Sequence, residues 1–204
     1  MSIQRIRLPS EARQAEVVAA TLNLMATQSP ATITTSDIAQ AVHVTQGALF
    51  KHFASKDALW LATMSWVEDN LLGLLRQAES QAATPLAALQ GIFDAHIGFV
   101  ARHPGVPRLI FSELQQPGDS AIKQKVRGLL QSYKQMLVRV LTQAAQSGAI
   151  ASDVDIDAAA TLFIGTVQGL VMQSMLAGSS ARMAPQSQAV FKLYLRSLQH
   201  KEQA

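Results

Sequence analysis

Between Thr35 and Lys56 the chain gathers side chains suited to holding nucleic acid. The carboxamide of Gln46 sets a donor beside an acceptor, a pattern that pairs with adenine N6 and N7, among other bases, in a major groove. Lys51 can take a guanine edge or a phosphate, and the methyl of Ala48 suits an apolar contact such as a thymine methyl. Thr35, Thr45, His52 and Lys56 suit phosphate oxygens through hydroxyl, imidazole, ammonium or helix-start N–H groups. Gly47 lets the backbone approach a groove closely, at a cost in helix propensity. Arg5 and Arg7, on a short N-terminal arm, can reach a minor groove or flanking phosphates.

Other chemistries lack their residues. The sequence holds no HExxH, no GxSxG and no GxxxxGK[ST], so the familiar zinc-hydrolase, serine-hydrolase and phosphate-cradling patterns are missing. Its five histidines are scattered without ligand spacing, and it has no cysteine for a thiolate site or disulfide. Asp153, Asp155 and Asp157 resemble the first half of a calcium loop, but Ala158 stands where that loop needs glycine and Ile164 where it needs glutamate. These acids suit the positive start of a helix instead. The reading is of a non-enzyme, with no metal and no cofactor.

The elements that position the recognition residues are short and strongly capped. Ile38, Ala39 and Val42 form one apolar face at helical spacing, continued by Val44, Leu49 and Phe53 after a turn. Thr34 with Asp37 makes a capping-box-like start, Thr45 can cap the next helix, and Ser55, with Asp57 behind it, the one after. Two short helices joined by a tight turn form a helix-turn-helix, whose expected ligand is DNA. Before it, a helix starts at Pro9–Ser10. After it, helical periodicity runs from Ser55 toward Gln81, from Leu86 to Arg102, through Arg108–Gln115, over 120–147 up to Gly148, from Asp157 to Leu176, and from Pro185 to Gln199. His103–Pro104–Gly105–Val106–Pro107 reads as a turn. Nowhere is period-two alternation sustained, so the expected fold is all-α.

Of the 204 residues, 49% are hydrophobic, enough for a packed core, and 15% are charged. No run reads as the ~18–20 uncharged apolar residues of a membrane span, and the N-terminus has no secretory apolar region. A soluble, cytoplasmic chain with no membrane partner is expected. Residues 1–60 hold five Lys/Arg against four acids and the rest twelve against ten, so bulk charge does not mark a DNA-binding end.

Three strings carry a family resemblance: Thr34–Thr35–x–Asp37–Ile38–Ala39, Val44–Thr45–x–Gly47–x–Leu49–Phe50–x–His52–Phe53, and Ser55–Lys56–Asp57–x–Leu59. Over residues 10–60 the chain resembles the N-terminal domain of TetR-family transcriptional regulators. The resemblance implies a DNA-binding domain at 1–54, a helical ligand-binding and dimerisation domain at 55–204, and a homodimer. Its second motif helix, about Thr45–Lys51, would enter the major groove of a double-stranded operator. Three positions depart from the pattern. His43 replaces a turn glycine, Phe50 a tyrosine whose hydroxyl contacts phosphate, and Ala48 a threonine. Phe50 is left to pack on the sugar-phosphate backbone.

The family's mechanism implies a repressor released by a small, largely apolar effector, with an activator, or a scaffold without an effector, as alternatives. Residue types suggest Trp60, Met64, Phe93, His96, Phe99, Phe111, Tyr133, Met136 and Met172 for the effector pocket, each with plain core as the competing role. Gly165 and Gly169, one turn apart, allow close helix packing within or between subunits. With Phe191, Tyr194, Leu195 and Leu198 they are expected in an intersubunit four-helix bundle.

Overall fold

The computed structural model describes residues 10–178 and 183–199, so Arg5 and Arg7 lie outside the described residues. Among these residues there are nine α-helices and no strand: α1 Ser10–Thr27, α2 Thr35–Ala41, α3 Gln46–Phe50, α4 Lys56–Gln81, α5 Pro85–Arg102, α6 Gly105–Leu114, α7 Ala121–Gln146, α8 Ile156–Leu176 and α9 Met183–Ser197. They fall into two compact units. One comprises the residues up to Val67 together with His103–Lys125, the other Glu68–Arg102 together with the residues from Val126 onward. Helix α6 falls in the same unit as the helix-turn-helix.

In the first unit α1 supplies Val17, Val18, Leu22 and Met25 to a core shared with Ile33, Ile38, Leu49, Phe53, Leu59 and Met64. Helix α6 packs on α1. It starts three residues earlier than its turn-like sequence suggests. A proline in the first turn of a helix needs no N–H partner, so Pro107 is tolerated there. Gly105 is required by proximity, because a Cβ there would lie 2.2 Å from the Leu22 carbonyl oxygen and 2.9 Å from Met25 Cβ. Trp66 meets the His103 ring edge-on at 5.2 Å.

The second unit is built on rings. Phe93 of α5 stacks at a tilt on Phe191 of α9 at 4.7 Å and meets Phe163 of α8 edge-on at 5.5 Å. Phe163 in turn meets Tyr194 at 5.4 Å, and Tyr133 of α7 at 6.2 Å. Such pairs add about 0.5–1.5 kcal/mol each beyond their burial. The Tyr194 hydroxyl donates to the Ala159 carbonyl, and burial raises its pKa. Outside this core Arg139 holds Glu79 through Nε and Nη2 at 2.8–3.0 Å.

Helix α8 corrects the expectation about membrane spans: within its 21 residues an 18-residue stretch reaches a mean hydropathy of 1.4, enough by length and composition. In the structure seven of them, including Phe163, Ile164, Val167 and Leu170, are buried, and the helix packs on α5 and α9. That buried face is the face of a core helix, while Leu162, Met172 and Leu176 stand exposed.

Candidate nucleic-acid interface

Three side-chain caps set the interface, each at the residue its sequence marks. The Thr34 hydroxyl accepts from the Asp37 N–H at 3.1 Å, while the Asp37 carboxylate accepts from the Thr34 N–H at 2.8 Å. Those bonds, the backbone one foremost, hold the Asp37 pKa below its ordinary value, with Lys56 adding a smaller pull. Thr45 Oγ1 accepts from the Ala48 N–H at 3.2 Å and starts α3. Ser55 Oγ accepts from the Ala58 N–H at 3.0 Å at the head of α4.

The turn between α2 and α3 is equally well defined. His43 donates its N–H to the Gln40 carbonyl and Val44 to the Ala39 carbonyl, the paired bonds of a Schellman ending. His43 takes φ 55, the left-handed conformation that a glycine there would adopt freely. Its departure from the family pattern is thus accommodated without changing the turn.

With Leu49 and Phe53 turned inward, α3 leaves Gln46, Gly47 and Phe50 exposed, followed by Lys51 at its C-cap. Nothing lies within 4 Å of where a Gly47 Cβ would stand, so this edge is open. Thr45 is exposed as well, while Ala48, His52 and Lys56 are half-buried along the margin. An open groove beside α3 is lined by Ser36, Gln40, His43 and Gln46 among others. Ser36 and Gln40 did not stand out in the sequence, although both are exposed on α2 at a four-residue spacing. Thr35, expected at a phosphate, instead accepts a bond from Gln46 Nε2 at 2.6 Å. The Lys56 ammonium sits 5.2 Å from the centroid of the Trp60 ring.

The effector candidates divide. Trp60, Met64 and Phe111 belong to the first unit, where Met64 and Trp60 are core. Phe93, Phe99, Tyr133 and Met136 are buried in the second unit, with His96 partly buried beside them. His96 Nδ1 lies 3.2 Å from the Tyr133 hydroxyl, and burial lowers the imidazole pKa to about 4 while raising that of Tyr133. Met172 is 41% exposed on α8, so it faces away from any interior pocket. The dimer candidates need a similar correction. Phe191, Tyr194 and Leu198 are buried within the single chain, where the ring cluster and the α9 ending use them, and Leu195 is half-buried. Gly165 is exposed and Gly169 half-buried, with nothing within 4 Å of either Cβ position.

A capped helix-turn-helix with an open second helix, joined to a larger all-helical unit, defines a DNA-binding transcriptional regulator. Two family models match the sequence: bacterial regulatory proteins of the tetR family over residues 17–63, and the tetracycline repressor-like C-terminal domain over 113–190. The chain belongs to the TetR family. Among curated relatives, the nucleoid occlusion factor SlmA of Alteromonas mediterranea is 23% identical over 131 residues, 64% of this chain and 67% of that protein. SlmA of Vibrio cholerae is 21% identical over 158 residues, 77% and 81% of the two chains. The fold matches the fatty acid degradation regulator FadR of Bacillus halodurans with TM-score 0.81 at 18% identity, covering 97% of this chain and 100% of that one. It also matches FadR of Bacillus subtilis in complex with stearoyl-CoA, with TM-score 0.77 at 20% identity, over 89% and 97%.

Proposed function

We propose that the chain works as a homodimeric repressor that leaves its DNA operator when a small, largely apolar effector enters the second unit. The open edge of α3 carries the reading: Gln46 contacts a base edge, Lys51 a base or phosphate, and Thr45, His52 and Lys56 the phosphates, with Phe50 against the sugar-phosphate backbone. Chromosomal DNA as the target puts its work in the cytoplasm.

For the dimer, α8 offers a stripe that the described residues leave largely uncovered. Leu162, Gly165, Gly169, Met172 and Leu176 recur at three and four residues; Leu162, Met172 and Leu176 are 52%, 41% and 82% exposed, and Leu193 of α9 is 62% exposed. The two glycines let a second α8 approach closely. A dimer would carry two copies of α3, and helix-turn-helix dimers read half-sites ~34–36 Å apart.

For the effector, the second unit supplies Phe93, Phe99 and Met136 as apolar lining and His96 with Tyr133 as a polar handle. Both handle groups are neutral near pH 7, so the group they receive is an uncharged carbonyl or hydroxyl rather than a free carboxylate. Helix α4 starts at the DNA-facing Lys56 and runs on past Val67 into the second unit, so it is the element a bound effector would have to move. Long acyl thioesters and sterols are the natural first probes, given the FadR structure with stearoyl-CoA and the ketosteroid regulator KstR2 of similar fold.

A second reading is a DNA-bound factor without an effector. Ring-on-ring packing through the second unit and the SlmA relatives favour it. Titrating the protein against the DNA upstream of its own coding sequence, at several salt concentrations, tests the common core. Binding should fall linearly in log affinity against log salt and prefer that DNA to unrelated duplex. A flat salt response or no sequence preference rejects the DNA reading. Release of bound DNA by an acyl thioester or sterol supports the repressor, and retention with every such probe supports the second reading.

A further inference from the structure

Gln46 and Thr35 sit eleven residues apart, at the first positions of α3 and α2, yet Gln46 Nε2 donates to Thr35 Oγ1 at 2.6 Å. A glutamine amide free to turn over presents its oxygen to an exocyclic amine or its nitrogen to a carbonyl, and so reads bases ambiguously. Here one N–H is spent on Thr35. The oxygen and the second N–H remain, and that edge is the one complementary to adenine N6 and N7. Thr35 is itself well anchored, because it follows the Thr34–Asp37 capping box at the start of α2. Its hydroxyl proton is not consumed by accepting from Gln46, so it can donate to a phosphate oxygen, and a chain of such bonds strengthens each member.

We infer that Thr35 is the positioning residue for base reading: it fixes the Gln46 carboxamide so that each half-site is read for adenine at one base pair. The inference rests on the DNA-binding reading above and deepens it, since it assigns the discriminating power to a pair of side chains rather than to Gln46 alone. A phosphate contact at Thr35 then sets the orientation of the base-reading group, which links backbone positioning to sequence readout.

Selection from a randomised duplex library, followed by competition binding, tests it on the full chain. The wild-type protein should select adenine at one position per half-site. Gln46→Ala should lose that preference, and Thr35→Val should lose roughly tenfold of the discrimination there while leaving the other positions intact. Thr35→Ser keeps the hydroxyl and should restore it. If Thr35→Val weakens all sequences equally and keeps the adenine preference, Thr35 is a phosphate contact only and the inference is overturned. Selection of guanine or thymine at the Gln46 position means the amide sits the other way round, which also overturns it. Should the wild-type protein select no sequence at all, the DNA-binding reading itself fails.

Discussion

At the scale of single residues, charge and hydrogen bonding decide what each side chain does. Lys56 lies over the Trp60 ring and exerts a small pull on Asp37, and the proposed function gives its ammonium to a DNA phosphate. Lys56→Ala should therefore weaken binding to all sequences alike and lower the salt slope by about one, measured by fluorescence anisotropy across a salt series. His96 makes the chain acid-sensitive. Its pKa falls from 6.5 to about 4 on folding, so the unfolded chain takes up the proton first. The stability it contributes is whole above pH 6.5 and drains away as pH falls toward 4. Urea denaturation should lose on the order of 2 kcal/mol between pH 7 and pH 5 through this group, and His96→Gln should lose less; equal losses would clear His96 of the effect. The caps at Thr34, Thr45 and Ser55 and the left-handed His43 were legible in the sequence because each depends on neighbours within four residues. The Thr35–Gln46 bond was not, since it forms only once the turn has folded α3 back on α2.

At the scale of elements, two backbone positions set geometry that no side chain could supply. His43 spends energy to hold φ 55, and the size of that cost depends on what stands there. His43→Gly should leave stability unchanged or raise it by up to about 1 kcal/mol, whereas β-branched His43→Val should lower it by at least about 1 kcal/mol. The reverse order in chemical denaturation would rule out strain at the turn. Gly105 is less forgiving. Gly105→Ala would drive a methyl into the Leu22 carbonyl, and since backbone cannot step aside the α1–α6 contact should lose at least about 3 kcal/mol, read as a lowered unfolding midpoint. The sequence predicts a turn over Gly105–Pro107 because glycine and proline usually break helices. Here they open one, and only the proximity of α1 explains why.

At the scale of the whole molecule, periodicity leaves open which apolar surface serves which partner. Helix α8 is apolar nearly all round, and periodicity cannot say that Phe163 is fully buried while Leu162 is half exposed. The same limit sent Phe191, Tyr194 and Leu198 to an expected dimer surface, when the chain's own ring cluster and α9 ending take them. A charged side chain at Gly165 separates the two roles: a Cβ there meets nothing within 4 Å among the described residues and the position is exposed, so the fold should survive Gly165→Arg. Light scattering should then report a monomer, with affinity for a paired half-site falling toward that of a single one, and an unchanged dimer would place the interface elsewhere. Both tryptophans of the sequence, Trp60 and Trp66, stand on α4, one beneath Lys56 and the other edge-on to His103. Light excited selectively at indole therefore comes from this single helix. Under the proposed phosphate contact, departure of the Lys56 ammonium toward DNA would change the surroundings of one emitter, so α4 would carry its own label, readable in stopped flow without attaching a dye.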